Sequence, residues 1–188
     1  MWPVLLDHYN DRVVKGVNVS DEEASKYPHS AISTWSGFVY QGKVALYHCL
    51  KLINEGDSEF ELQLDSTDDF AIYKDGNLIS AHQVKAKIGD YRGNYKEALE
   101  KSASLELDRV AGIKRYFHIS QPINDHSDYV GSNHECVEFY RYGESHHCEL
   151  DKIEELTKQV IKEIYARQTV AFDDSLIDAN YCLLSDRI

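Results

Sequence analysis

The chain has 188 residues, of which 43% are apolar and 28% are charged, a composition typical of one globular domain with its own core. Its formal net charge of −12 argues against simple nucleic-acid binding, which needs clustered lysine and arginine side chains. That charge remains compatible with an acidic, metal-dependent site. No apolar run reaches the length of a membrane span and the first residues show no signal-peptide pattern, so we expect a soluble, cytoplasmic protein.

The first part of the chain predicts a lead-in, a helix and a strand. Residues 1–33 have the character of a loosely organised lead-in. A helix is predicted from about Thr34 to Asn54, because apolar residues recur there at helical spacing and Gly56 follows as a stop. The members of that apolar face are Phe38, Ala45, Cys49 and Leu52. Phe60 to Leu64 then alternates like a half-buried strand.

A β-hairpin follows, and it carries most of the polar side chains of interest. Strand-like runs, Phe70 to Tyr73 and Leu78 to Lys87, flank the dipeptide Asp75-Gly76, a strong signal for a tight hairpin turn. A two-residue turn places Asp68 opposite Gln83. A turn one residue longer places Asp69 there instead.

The rest of the chain predicts a mixed arrangement. A helix is expected over Lys96 to Ala103 and a strand over Arg115 to Ile119. Asn124 to Asn133 is predicted to be a loop, and Cys136 to Tyr142 alternates as a further strand. Asp151 to Arg167 is the clearest helix, with an apolar stripe and a charged opposite face. This order predicts an α/β fold with a mixed sheet flanked by helices.

The hairpin chemistry is that of a divalent-cation site beside a phosphate. Asp65, Asp68 and Asp69 offer carboxylate oxygens, which Mg²⁺ and Mn²⁺ prefer. Gln83 offers a neutral carbonyl oxygen. Lys85, which shares a strand face with Gln83, is able to stabilise negative charge on a phosphate. The alternative interpretation from spacing alone is a solvated acidic turn.

The opening of the first predicted helix favours the cation-site interpretation over the solvated turn. The run Gly37-Phe-Val-Tyr-Gln41, taken together with the acidic turn and Gln83-Val-Lys85, resembles the PD-(D/E)XK nuclease superfamily. Within it, the chain is most similar to double-stranded DNA endonuclease effectors of bacterial anti-phage systems. Those include effectors associated with CBASS, and the effectors of Lamassu and related ABC-three-component systems. The similarity covers about Trp35 to Lys87 and continues more weakly through the later strand and helix.

The resemblance implies a restriction-endonuclease-like fold and a set of site residues. Asp69 matches the central metal ligand, Gln83 occupies the position of the second acid, and Lys85 matches the catalytic lysine. Gln41 matches the polar residue on the first helix, and Asp65 or Asp68 supplies a second carboxylate. The cofactor implied is Mg²⁺ or Mn²⁺. Gln83 is a departure from the family pattern, since an amide lowers the negative charge of the site.

The same resemblance implies a domain plan and partners. Residues 34–170 would form the nuclease domain, and 171–188 would begin a linker or helical C-terminal region continuing beyond this sequence. The expected function is metal-dependent cleavage of double-stranded DNA, gated by oligomerisation or by release from partners. Those partners would be an SMC-like ATPase and accessory defence subunits, with a homo-oligomer as the active form. The alternative is a catalytically inactive nuclease fold that acts as a scaffold.

A second possible metal site lies near the end of the chain. Cys136 and Cys148, with nearby histidines such as His134, His146 and His147, would suit tetrahedral zinc. The spacing matches no standard zinc finger or ribbon, and burial in a strand explains Cys136 equally well. Zinc is therefore a minor alternative.

Overall fold

The computed structural model describes residues 29–65, 67–86, 89–104 and 113–187. The chain divides into two units, Met1–Thr34 and Trp35–Ile188, and the sheet with its flanking helices belongs to the second. Of the predicted lead-in over residues 1–33, residues 1–28 fall outside the described residues, whereas residues 29–33 are helical, so the helix predicted from Thr34 begins at His29. Within the described ranges, no helix is long and apolar enough to cross a membrane.

The described residues form a mixed α/β arrangement. The helices are α1 His29–Glu55, α2 Lys96–Ala103, α3 Lys152–Arg167 and α4 Asp174–Ser185, and a short 3₁₀ turn spans Arg92–Tyr95. The strands are β1 Glu61–Leu64, β2 Phe70–Lys74, β3 Asn77–Lys85, β4 Lys114–Ile119, β5 Tyr129–Val130 and β6 Cys136–Phe139.

The strands join in one six-stranded sheet of order β1-β2-β3-β4-β6-β5. The first three strands are antiparallel. The β3–β4 and β4–β6 pairs are parallel, and β5 returns antiparallel to β6. This is a mixed sheet flanked by helices, so the predicted fold class is confirmed, and the arrangement is compatible with a restriction-endonuclease-like fold.

The helices cover opposite faces of the sheet, which we name by the helix that packs there. On the α1 face, side chains from α1 and α3 bury Phe70 and Val84 in the largest apolar cluster. On the α2 face, Leu99 of α2 packs against Phe117 and Val137. Because successive strand residues alternate between faces, Asp69, Gln83 and Lys85 lie on the α2 face, opposite Phe70 and Val84.

The last helix packs on α3. Its N-terminus is capped by Asp173, whose carboxylate accepts from the Leu176 N–H at 2.8 Å. Ile177 and Tyr181 of α4 are buried in the α1-face cluster. Ion pairs from Lys158 and Lys162 of α3 to acids of α4 tie the helices together at their exposed edges.

Several sequence predictions need correction. The strand predicted over Cys136 to Tyr142 ends at Phe139, because Tyr142 instead forms a local bridge with Ser145. The segment predicted as a loop from Asn124 to Asn133 contains β5. Phe38 was expected on the buried face of α1, but it is 53% exposed. The buried face of α1 in this part of the helix is centred instead on Tyr40 and Val44.

Candidate functional site

The hairpin register brings Asp69 and Gln83 together. Asp75-Gly76 closes the turn, and Lys74 pairs with Asn77 across it, so the turn has the two residues that its dipeptide predicts. The register then shifts between Ile72 and Tyr73, and beyond this bulge Phe70 pairs with His82. The next pair in that register is Asp69 with Gln83. Without the bulge, Asp68 would lie opposite Gln83.

The Asp69 carboxylate is anchored on β3. Its Oδ2 accepts a hydrogen bond from the Gln83 side-chain amide and another from the Val84 backbone N–H at 2.6 Å. Charge-assisted hydrogen bonds of this kind hold a carboxylate in one orientation. The Asp69 carbonyl also accepts from the Asp65 N–H at 3.1 Å, which closes the acidic turn.

Asp68 lies beside this pair and faces α2. Its carboxylate accepts from the Ser102 hydroxyl at 3.2 Å, and Ser102 is buried on α2. Burial, followed by the charge of Asp69, raises the pKa of Asp68 to about 6, while the Ser102 hydrogen bond and the charges of Lys85 and Lys101 oppose that rise. Two adjacent carboxylates are thus held together without an ion pair within the described structure, an arrangement that a cation would stabilise.

Lys85 lies at the end of β3, on the same face as Gln83. Its backbone pairs with Ile119 of β4, and its side chain is half-buried. Within the described ranges its ammonium makes no hydrogen bond or ion pair. Its charge nevertheless acts on Asp68, whose pKa it lowers. An ammonium near the acids but unbonded to them remains available to a phosphate.

The side chains of the two remaining predicted site residues, Asp65 and Gln41, form no hydrogen bond with Asp69, Gln83 or Lys85 within the described ranges. Asp65 is exposed, with a positive φ of 52°, and its link to Asp69 is the backbone hydrogen bond of the turn. Gln41 is half-buried on α1, where its side chain bonds none of the other predicted site residues that the structure describes. Its neighbour Tyr40 does tie α1 to the Lys85 end of the sheet, because Tyr40 donates to the Cys148 carbonyl at 2.5 Å and the Cys148 N–H donates to Ile119.

The residues present fit a hard divalent cation of the magnesium type. Mg²⁺ is commonly held by one or two carboxylates, with waters and substrate phosphates completing its shell. Asp68, Asp69 and the carbonyl oxygen of Gln83 meet that minimum. No group of three or more acidic, histidine or cysteine side chains suited to a metal occurs in the described part of the chain. Asp65, Asp68 and Asp69 therefore do not converge as a set of three there, and a zinc site at Cys136 and Cys148 has no support.

Sequence reasoning missed two features of the site region. Ser102 is a small polar residue on the buried side of α2, and its spacing from Leu99 on that face was the available signal. The second feature lies on the α1 face, where Ser80, His82 and His118 form a buried hydrogen-bonded row. Alternation along β3 puts Ser80 and His82 on one face, but their link to β4 requires the parallel β3–β4 pairing.

Comparisons with known proteins give a family match for the C-terminal part of the chain. Residues 137–188 match the family described as C-terminal domain 1 of the ABC-three component (ABC-3C) systems. The matched segment runs from β6 through α4 and crosses the boundary predicted at residue 170. Neither the curated proteins nor the solved structures compared with the chain include a match. The family match supports the expected defence-system context, and with it accessory defence subunits as partners.

Proposed function

We propose that this chain is a metal-dependent endonuclease that cleaves double-stranded DNA as the effector of a bacterial anti-phage system. The observation that carries the proposal is the convergence of Asp69 with Gln83 on neighbouring strands, with Asp68 and Lys85 close enough to influence each other. An acid, a carbonyl oxygen and an ammonium on one sheet face suit phosphodiester hydrolysis.

The proposal gives each residue a role. Asp68, Asp69 and the Gln83 carbonyl oxygen would hold Mg²⁺ or Mn²⁺. When bound, such a cation neutralises phosphate charge and lowers the pKa of a bound water. Lys85 would orient the attacking water or stabilise charge on the phosphate oxygens. Ser102 keeps one oxygen of Asp68 bonded, which leaves the other oxygen free as a ligand. Gln41 would act from α1 as a polar contact at the Lys85 end of the sheet.

The family match extends the proposal to partners. A component of an ABC-three-component system works with other subunits, for which an SMC-like ATPase and an accessory protein are the expected classes. A net charge of −12 repels DNA phosphates, which favours an isolated chain that is kept off DNA. Homo-oligomer formation or release from partners in the cytoplasm would then bring the site to its substrate. The domain boundaries at residues 33 and 170 belong to the same proposal.

A plasmid-cleavage assay tests this function. The wild type is expected to nick or linearise supercoiled DNA with Mg²⁺ or Mn²⁺ and to be inactive with excess chelator. Asp69→Ala and Lys85→Ala are expected to lose cleavage, while Asp65→Ala, an exposed acid in the same turn, is expected to lose much less. Equal nicking by all four proteins would indicate contamination and overturn the proposal. If the chain alone is silent, the assay is repeated with the candidate partner subunits.

One observation favours a second candidate, an inactive nuclease fold that scaffolds a defence complex. The Gln83 side-chain amide donates a hydrogen bond to Asp69, whereas an acid at position 83 would offer a second carboxylate to a cation. The Gln83→Glu variant separates the two functions. A working site keeps measurable Mn²⁺ binding in the wild type, by calorimetry or electron paramagnetic resonance. A remnant binds Mn²⁺ only after Gln83→Glu, and cuts no DNA with or without partners.

A further inference from the structure

The last helix, α4, carries an apolar stripe on the side that faces away from the rest of the unit. Leu176 is 41% exposed and Leu183 is 58% exposed, and Ala179 between them is also exposed. Steps of three and four residues put these side chains on one face of a helix. Ile177 and Tyr181 lie on the other side of α4 and are buried. This helix therefore has two apolar faces, of which only one is covered within the described structure.

The two ends of this stripe carry opposite charges. Asp173 caps the N-terminus of α4, where its Oδ1 accepts from the Leu176 N–H at 2.8 Å. Its other carboxylate oxygen has no hydrogen bond in the described part of the chain. Arg187 continues the last turn, because its N–H donates to the Leu184 carbonyl at 3.2 Å, and it is exposed. Neither the Asp173 carboxylate nor the Arg187 guanidinium forms an ion pair among the residues described.

The other charged groups of α4 do not oppose this arrangement. Asp174 and Asp178 form ion pairs with lysines of α3, so their charges are partnered on the inner side. At about 100° per residue, Asp173 and Arg187 fall on one flank of the stripe and Asp186 falls on the other. The flank that ends in Arg187 is therefore the one that carries both unpaired charges.

The stripe is self-complementary when two copies of α4 pair in opposite directions. A twofold axis beside Ala179 places Leu176 against the partner's Leu183, and Leu183 against the partner's Leu176. The same axis keeps each flank on its own side, so Asp173 lies beside the partner's Arg187. The small Ala179 at the axis permits a close approach of the two helices. A parallel pair would instead put like charges together at both ends, which is unfavourable.

We propose that α4 is the interface of a homodimer, in which two copies of this chain pair through the stripe in antiparallel orientation. The contact is isologous, so each dimer buries both leucines of both copies and forms two ion pairs between Asp173 and Arg187. The interface has the length of a single helix, which places it among contacts below ~1,200 Å² that form weak complexes. We expect a Kd on the order of 100 µM.

This inference rests on the proposed homo-oligomer and names its contact surface. The helix α4 lies in the segment that matches C-terminal domain 1 of the ABC-three component systems, outside the proposed nuclease domain. The Asp69 site is built on β2 and β3. The dimer contact and the catalytic site are therefore altered by different substitutions.

Sedimentation velocity of the full chain tests the dimer. From about 5 µM to about 500 µM, a range that brackets the expected Kd, the mass should rise from that of one chain towards that of two. Leu176→Glu and Leu183→Glu should stay monomeric, because each puts a charge into the apolar contact. The matched control is Val130→Glu, at an apolar position of β5 that is 60% exposed, which should dimerise like wild type. Circular dichroism confirms that each variant is folded. A monomeric wild type at every concentration, or a dimer that survives both leucine substitutions, would overturn the proposal.

Disulfide crosslinking tests the antiparallel register. The exposed Cys136 and Cys182 are first replaced by serine. A mixture of Leu176→Cys with Leu183→Cys should then crosslink about tenfold faster than either variant alone, because the two positions lie opposite each other. Two copies of Leu176→Cys would be about 10 Å apart along the helix axis, which is beyond the ~7 Å limit between Cα atoms for a disulfide. Equal crosslinking in all three samples would overturn the antiparallel pairing.

The same variants distinguish failure of this inference from failure of the proposed function. A dimer that is lost in Leu183→Glu, from a wild type that cuts no DNA with or without partner subunits, supports the interface and contradicts the nuclease. Metal-dependent cleavage by monomeric Leu183→Glu at the wild-type rate keeps the nuclease and overturns the α4 dimer as its active form. We expect Leu183→Glu to lose both dimer and cleavage, and Asp69→Ala to lose cleavage alone.

Discussion

The burial of the His48 imidazole predicts that the free energy of unfolding falls at acid pH. His48 is 7% exposed, its Nδ1 lies 3.0 Å from the Tyr140 hydroxyl, and its ring centre lies 4.4 Å from that of His82. Burial, followed by the charge of Lys51, lowers its pKa from 6.5 to about 4. The native state therefore resists a proton that the unfolded chain accepts readily.

The sign and size of the change in the free energy of unfolding with pH follow from the linkage between protonation and folding. A histidine with a lowered native pKa contributes stability above pH 6.5, and that contribution is lost as the pH falls towards 4. At pH 4.5 the unfolded imidazole gains roughly 3 kcal/mol from protonation, at ~1.36 kcal/mol per pH unit. The native imidazole, with its pKa of about 4, gains much less, because it is mostly neutral at that pH. His48 should therefore lower the free energy of unfolding by about 2–3 kcal/mol between pH 8 and pH 4.5.

Urea unfolding of His48→Gln at both pH values tests this reasoning. The amide can still bond Tyr140 but does not titrate, so packing losses appear at pH 8 and remain constant. Relative to wild type, the variant should recover about 2–3 kcal/mol at pH 4.5, which is above the error of linear extrapolation. The control is His134→Asn, at an exposed position with positive φ, which should show no such recovery. A pH-independent difference between His48→Gln and wild type would refute the argument.

Three further substitutions test other parts of the structure. Asp68→Asn should raise the free energy of unfolding at pH 8 by about 1–3 kcal/mol, because burial raises the native pKa of Asp68 to about 6. In urea unfolding this gain should vanish by pH 4. A lower free energy of unfolding at pH 8 would contradict the prediction. Ile153→Ala removes a fully buried side chain and should cost about 2–5 kcal/mol, measured as a lower melting temperature, whereas an unchanged melt would deny it a core role. Arg167→Ala removes hydrogen bonds to the last carbonyls of α1 and should cost about 0.5–1.5 kcal/mol. Arg167→Lys should restore part of that loss in the same thermal measurement.

Local signals in the sequence were enough to predict many of the helices and strands. The Asp75-Gly76 dipeptide predicted the hairpin turn, and the apolar stripe of Asp151 to Arg167 predicted α3 within one residue. These elements are determined by spacing within a single segment. The two-residue strand β5 gave no such signal, because it exists only through its pairing with β6.

The candidate site was predicted in part, for the same physical reason. The acids, Gln83 and Lys85 were identified from type and spacing, but the choice between Asp68 and Asp69 opposite Gln83 depended on a bulge. A bulge reflects packing on both sheet faces and has no local sequence mark here. The row from Ser80 to His118 was missed because parallel pairing joins residues that are far apart in sequence. The roles of the site residues remain predictions.

The bulge beside Ile79 gives the hairpin an unusual dependence on its length. That one extra residue sets both the partner of Gln83 on the α2 face and the pairing of Ser80 with Ile72 on the α1 face. Exchanging a side chain in β3 disturbs one face at a time. Removing or adding a residue between the turn and Ser80 shifts both faces at once, since every side chain beyond it changes its cross-strand partner. The number of residues between the turn and Ser80 therefore affects both faces of the sheet together.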